Sequence, residues 1–226
     1  MSKVLETRLE IDLKALESNF KLLKSYLSAD TKMMGVVKAF AYGTDSVLIG
    51  KHLVEIGAEY LAVAYIEEGV RLRKAGVTVP ILVFYPQLEE IENLIDYQLT
   101  PSVYTHHFLE GLCRELTHHN LSSIGIHLKI NTGLNRLGFE LSDLDAILKH
   151  LNTEPKVLLV GLFSHLAASG NKDEVEFTKT QITKFEEARS YFKTHLDYAF
   201  ESHICNSSGI LNFPEAEFDM VRAGIA

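Results

Sequence analysis

Lys38 closes an apolar run from Met33 to Val37 and is followed directly by Ala39, Phe40, Ala41, Tyr42 and Gly43. A partly desolvated strand end is a place where an amine's pKa can fall and its nitrogen can become a nucleophile for Schiff-base chemistry. Other chemically capable residues also follow apolar runs. Lys129 lies at the end of the run from Ile124, with Arg136 a few residues on in the Gly133–Gly138 loop. His165 follows Val157–Phe163, Asn206 and Ser207 follow Ser202–Cys205, and Arg222 closes the run from Phe218.

Asn206-Ser207-Ser208-Gly209 leaves a strand and opens a short helix, where backbone N–H groups and hydroxyls can receive a phosphate, or can simply cap the helix. Arg222-Ala223-Gly224-Ile225 follows the next strand, and the standard phosphate site of an α/β barrel lies after its last two strands. A reactive lysine facing a phosphate cup describes a site for pyridoxal 5′-phosphate. Arg222 then has a specific consequence. A carboxylate beside the pyridine nitrogen keeps that nitrogen protonated and the ring a strong electron sink, whereas an arginine leaves it unprotonated. That suits a reaction that moves one proton and avoids transamination or decarboxylation.

Positioning these residues requires a particular scaffold. The chain has 226 residues, 46% of them hydrophobic, enough to bury one sizeable core. A net charge of −8 argues against a nucleic-acid partner. Cys113 and Cys205 match no metal or disulfide spacing and read as buried hydrophobes in a reducing compartment. No signal-like segment and no apolar stretch of membrane-spanning length appears, so the expectation is a soluble cytoplasmic protein without bound metal.

Apolar, β-branched runs alternate with amphipathic segments from Lys32 onward. The strands are expected at Met33–Lys38, Tyr60–Ala64, Pro80–Phe84, Thr100–Val103, Ile124–Ile130, Val157–Phe163, Ser202–Cys205 and Phe218–Arg222. Helices are expected between them near Asp45–Ile56, Ile66–Ala75, Leu88–Tyr97, His106–Thr117, Leu141–Leu151 and Val175–His195, with only a short one fitting before the last strand. No Gly-rich dinucleotide fingerprint follows the first strand, so the fold class is α/β, a parallel (β/α)8 TIM-type barrel over residues 32–226 that lacks the final helix. Residues 1–31 supply a leading strand, Thr7–Leu13, and an amphipathic helix from about Lys14 to Tyr26.

Four segments carry a resemblance to a known family. They are Val36 to Gly43 (VVKAFAYG), His127 to Gly138 (HLKINTGLNRLG), Gly161 to Ala167 (GLFSHLA), and Asn206-Ser207-Ser208 with Phe218 to Ala226 (FDMVRAGIA). In this order they resemble the N-terminal barrel of the alanine racemases. The resemblance implies that Lys38 binds pyridoxal 5′-phosphate covalently and is the base on one face of the substrate Cα. Tyr42, Asn206 and Ser207, with the backbone of Gly224 and Ile225, then hold the cofactor at its phosphate. Arg222 faces the pyridine nitrogen with His165 behind it. Arg136 meets the cofactor's phenolic oxygen and the substrate carboxylate, and Lys129, which can be carbamylated in this family, orients Arg136. The implied activity is interconversion of L- and D-alanine for peptidoglycan synthesis by a homodimer. Its second base is a tyrosine from a β-rich C-terminal domain, with which the leading strand belongs; a fragment without that domain is expected to be weakly active or inactive.

This chain departs from the family pattern at Thr44 and Asp45, where His and Gly are usual, and at Asn131 and Leu134, where Asp and Met are usual. Two other readings share the barrel: a single-domain pyridoxal-phosphate homeostasis protein, and a racemase of another amino acid such as serine.

Overall fold

The computed structural model describes residues 7–224, and strands alternate with helices through all of them. The strands are β1 Lys32–Val36, β2 Tyr60–Val63, β3 Ile81–Val83, β4 Thr100–Val103, β5 Ile124–Lys129, β6 Val157–Phe163, β7 Glu201–His203 and β8 Met220–Ala223. They form one parallel sheet in the order β7-β6-β5-β4-β3-β2-β1-β8. The ends of that order meet through Asp219 N to Ser202 O at 3.1 Å and Arg222 N to Cys205 O at 3.0 Å, which nearly closes the barrel. Closure leaves few strand edges unpaired.

Local chemistry sets the helix starts. Asp12 accepts from the N–H groups of Lys14 and Ala15 and starts Leu13–Lys24; Asp45 does the same for Val47 and Leu48 and starts Ser46–Glu55. The departure from the family at Asp45 is therefore a helix cap. Residues 7–12 form no strand in this structure, so the expected leading strand is absent as such, while its helix is present.

Two cores result. The larger lies between the sheet and the surrounding helices and includes Leu61, Leu72, Leu112, Phe185 and Phe192. Burying each such side chain contributes roughly 1.5–3 kcal/mol. The smaller fills the barrel itself with Met34, Ala62, Leu82 and Met220. It plugs the lower barrel and leaves the C-terminal rim to polar residues. Both cysteines are buried and free, and burial raises the Cys205 thiol to about 12, so it stays protonated.

A register shift between Ile126 and His127 interrupts the β5–β6 ladder, pairing Ile126 with Leu159 but His127 with Gly161. The extra residue, Val160, is left without a partner, as in a β-bulge. Beyond it Phe163 points into the barrel, where its ring stacks on His203 at 5.1 Å and meets Phe84 at 6.1 Å.

Candidate active site

The C-terminal ends of the strands and the loops beyond them enclose a cavity of about 380 Å³. It is lined by Lys38, Lys129, Arg136 and Arg222, with no carboxylate among the described lining residues. Such a wall selects for an anion. Tyr42, Asn206, Ser207, Gly224 and His165 complete the lining, so every expected site residue is brought to one place except Ile225, which lies outside the described residues.

β1 ends at Val36, two residues earlier than expected, and Lys38 opens a turn. In it Ala39, Phe40, Ala41 and Tyr42 all adopt left-handed backbone, with φ between 50° and 62° and ψ between 40° and 54°. Each non-glycine residue so placed costs roughly 1–2 kcal/mol. Thr44 offsets part of this, its hydroxyl donating to the carbonyls of Phe40 at 3.2 Å and Ala41 at 2.9 Å. The turn carries the Tyr42 hydroxyl to the Gly224 backbone, where a Cβ would lie 2.5 Å from it. Ser207 Oγ accepts from Gly224 N–H at 3.1 Å, so Tyr42, Ser207 and Gly224 form one cup. The Asn206 carboxamide supports the cup: Oδ1 accepts from Gly209 N–H and Ser169 Oγ, and Nδ2 donates to Leu166 O.

Arg222 is buried, and none of its partners is a carboxylate. Nη1 donates to His203 Nδ1 at 2.6 Å and His203 O at 3.2 Å; Nη2 donates to Ser164 O at 2.6 Å, Ile204 O at 3.1 Å and His165 Nδ1 at 3.3 Å. Guanidinium only donates, which fixes the imidazole tautomers. His165 and His203 both accept at Nδ1 and carry their protons at Nε2. His203 Nε2–H then donates to His127 Nδ1 at 2.9 Å. Burial, followed by the Arg222 charge, lowers His127 and His165 to about 3 and His203 well below its ordinary value. All three stay neutral near pH 7. Burial also brings Arg222 down to about 10, still protonated near neutrality.

His127 and His203 were not among the expected site residues. Nothing in a strand sequence says which of two alternating faces lines a barrel, although Gly161 is a trace: a Cβ there would lie 2.4 Å from the His127 ring. Gln181 was missed too. It is fully buried on the helix Val175–His195, donates to His165 O at 3.2 Å and Thr132 Oγ1 at 3.4 Å, and accepts from Ala167 N–H at 2.9 Å. A glutamine on the apolar stripe Thr178, Phe185, Ala188 and Phe192 was the available signal.

The Arg136 loop is closed at its base by Asn131 N to Phe139 O at 2.8 Å and Phe139 N to Lys129 O at 2.9 Å. Gly138 has φ +127°, and a Cβ there would meet Asn131 N at 2.7 Å. Asn131 Oδ1 accepts from the N–H groups of Gly133 and Asn135, as an aspartate would, while its Nδ2 donates to Glu140. The substitution at Asn131 therefore preserves the loop.

Lys129 Nζ lies 4.8 Å from the Phe163 ring centroid. Burial first, then the charges of Arg222, Arg136 and Lys38, lowers its amine to about 7. A neutral, nucleophilic amine is thereby accessible near neutrality, which an ordinary lysine does not offer.

Residues 11–226 match the family model described as alanine racemase, N-terminal domain. The chain belongs to this family. It is 36% identical over 220 residues to the alanine racemase of Carboxydothermus hydrogenoformans, covering 96% of this chain and 58% of that protein. It is also 36% identical over 222 residues to that of Treponema denticola, with 97% and 58% covered. Among solved structures, alanine racemase from Clostridium difficile 630 superposes with a TM-score of 0.88 at 31% identity, covering 95% of this chain and 56% of that one. The Bacillus anthracis enzyme with bound L-Ala-P gives 0.88 at 31%, with 96% and 56% covered. This alanine racemase domain thus spans a little over half the length of these relatives. Among the described residues, no helix is long and apolar enough to cross a membrane.

Proposed function

We propose that this domain binds pyridoxal 5′-phosphate and is the cofactor barrel of an enzyme that interconverts L- and D-alanine in the cytoplasm, supplying D-alanine for peptidoglycan. The observation that carries this reading is the cavity with Lys38 at one side, the Tyr42–Ser207–Gly224 cup, and an arginine held by imidazoles and carbonyls where a carboxylate is the common choice. The donors fit the group: the cup offers hydroxyls to a phosphate, and a cavity lined by Arg136, Arg222 and two lysines with no carboxylate among the described residues suits an anionic, carboxylate-bearing ligand.

When bound, the cofactor supplies an electron sink that acidifies the Cα proton of an attached amino acid. Lys38 then takes or returns that proton on one face. Arg136 orients the substrate through its carboxylate. Arg222 Nε makes no hydrogen bond among the described residues and is the donor left for the pyridine nitrogen, which a guanidinium cannot protonate near pH 7. His165, neutral with its proton at Nε2, fixes the other side of Arg222. The group on the opposite face of Cα comes, in this reading, from a β-rich C-terminal domain of the partner subunit in a homodimer. The match to racemases over almost the whole chain favours this over a homeostasis protein.

Incubation with pyridoxal 5′-phosphate, borohydride reduction and peptide mapping test the reading. The label is expected on Lys38, and labelling confined to any other lysine overturns it.

Lys129 completes the electrostatics. Its neutral amine adds to CO2 and releases a proton, turning a cation into a carbamate anion that pairs with Arg136. A 13C carbamate signal from labelled bicarbonate is expected to grow as the pH rises through about 7 and to vanish in Lys129→Ala. Without CO2 the same group makes the fold pH-dependent. Between about 7 and the ordinary lysine value the unfolded chain holds the extra proton, so stability rises with pH across that window.

A further inference from the structure

The left-handed turn from Ala39 to Tyr42 joins the two residues that must face the cavity from opposite ends, and one side chain from elsewhere in the sequence reaches its start. Glu68 is the third residue of the helix Ile66–Lys74. Its Oε2 accepts from the N–H groups of Ala64 at 2.6 Å and Tyr65 at 3.1 Å, which is ordinary capping of that helix. Its Oε1 does something capping does not require: it accepts from Ala39 N–H at 2.7 Å, on the segment leaving the neighbouring strand. One carboxylate therefore bridges the C-terminal ends of β1 and β2 immediately beside Lys38.

Only a carboxylate serves all three donors. A glutamine keeps one accepting oxygen and turns two N–H donors toward backbone N–H groups. An aspartate is one methylene too short to span both strand ends from the same helix position. The turn's other backbone hydrogen bonds, Ala41 N to Val37 O at 3.0 Å and Thr44 N to Phe40 O at 2.7 Å, lie within the segment, and its contacts outside the segment, Arg71 over the Phe40 ring and Tyr42 against Gly224, fall after Ala39 rather than at the start beside Lys38.

We propose that Glu68 is a positioning residue: through Ala39 it locks the left-handed turn to the end of β2 and so aims Lys38 and Tyr42 into the cavity together. This rests on the reading of Lys38 as the cofactor lysine. Glu68 itself does not touch cofactor or substrate. Its effect is on how fast and how selectively Lys38 is engaged.

The test compares wild type, Glu68→Gln and Glu67→Gly in time-resolved uptake of pyridoxal 5′-phosphate, quenched with borohydride and mapped by peptide. Glu67 is an exposed neighbour, and a glycine there weakens the same helix without touching Ala39. Glu68→Gln is expected to slow attachment at Lys38 at least tenfold and to divert label to other lysines, while Glu67→Gly stays within about twofold of wild type. Equal rates in Glu68→Gln and wild type overturn the proposal, as does an equal slowing in both variants, which would make helix stability the cause. Amide hydrogen exchange on the wild type gives a second check that needs no variant. Ala39 N–H is expected to exchange at least tenfold more slowly than Phe40 N–H, and equal rates overturn the proposal. A wild type that takes no label at Lys38 removes the cofactor reading itself, and the positioning role with it.

Discussion

Lys38→Ala is expected to abolish borohydride-stable uptake of pyridoxal 5′-phosphate by this domain and, in the proposed racemase, to lower racemisation by at least about 10³-fold. Two functions leave with one amine, the covalent attachment and the proton transfer at Cα, and removing a positioned acid–base group alone contributes roughly 10²–10⁴. The fold is not the reason for the loss. Lys38 is only partly buried and, among the described residues, makes no hydrogen bond whose removal strands a partner. Thermal unfolding of Lys38→Ala is therefore expected to stay close to wild type, and added methylamine to restore part of the proton transfer. A variant that still racemises at more than a tenth of the wild-type rate would show that another base works on that face.

Arg222→Leu has its largest effect on stability. Arg222 satisfies the carbonyls of Ser164, His203 and Ile204 and the Nδ1 atoms of His165 and His203, all at the barrel rim. A leucine leaves these acceptors buried without donors, each at roughly 1–3 kcal/mol, offset in part because a guanidinium no longer has to be desolvated. A net loss of about 3 kcal/mol or more is expected in urea unfolding, read as a lower midpoint with an unchanged slope. An unchanged midpoint would mean that water replaces the guanidinium at no cost. The wild type carries a pH signature of the same cluster. His127 and His165 are held near 3 in the fold against about 6.5 when unfolded, so the unfolded state binds more protons and stability falls as pH drops from about 6.5 toward 3. In Arg222→Leu this fall is smaller, because the Arg222 charge no longer adds to burial in lowering the two histidines.

Much of the scaffold was legible because it rests on short-range patterns. β4 and β6 begin and end where their apolar runs do, and the helix Val175–His195 keeps both expected boundaries. The other strands shift by one to two residues, as at β7, since ladder bonds rather than hydrophobicity set strand ends. Segments expected as single helices at Leu88 and Leu141 begin instead with a 3₁₀ turn. That the candidate residues share one cavity was legible for a similar reason. A parallel barrel puts strand ends on one rim, so Lys129, His165 and Arg222 converge once the strands are assigned.

What stayed hidden depends on groups far apart in sequence. Ala39, Phe40, Ala41 and Tyr42 have no preference for left-handed backbone, and the turn exists because Glu68, Thr44 and Gly224 hold it from three sides. The β6 bulge is likewise silent in VLLVGLF, yet beyond it Phe163 faces inward and Gly161 makes room for His127. The tautomers of His165 and His203 follow from a guanidinium that meets both only when the strands close on one another, and the His127 tautomer follows in turn from its bond to His203.

By itself, then, the sequence determined an eight-stranded parallel barrel with a lysine, an arginine loop, a histidine and a second arginine at its rim, because periodicity and residue order carry that information. The tertiary structure alone decided how those groups are charged and aimed. An amine brought down to about 7 at Lys129, three imidazoles kept neutral around Arg222, and a strained turn beside Lys38 all require burial and contacts that exist only when the strands close on one another.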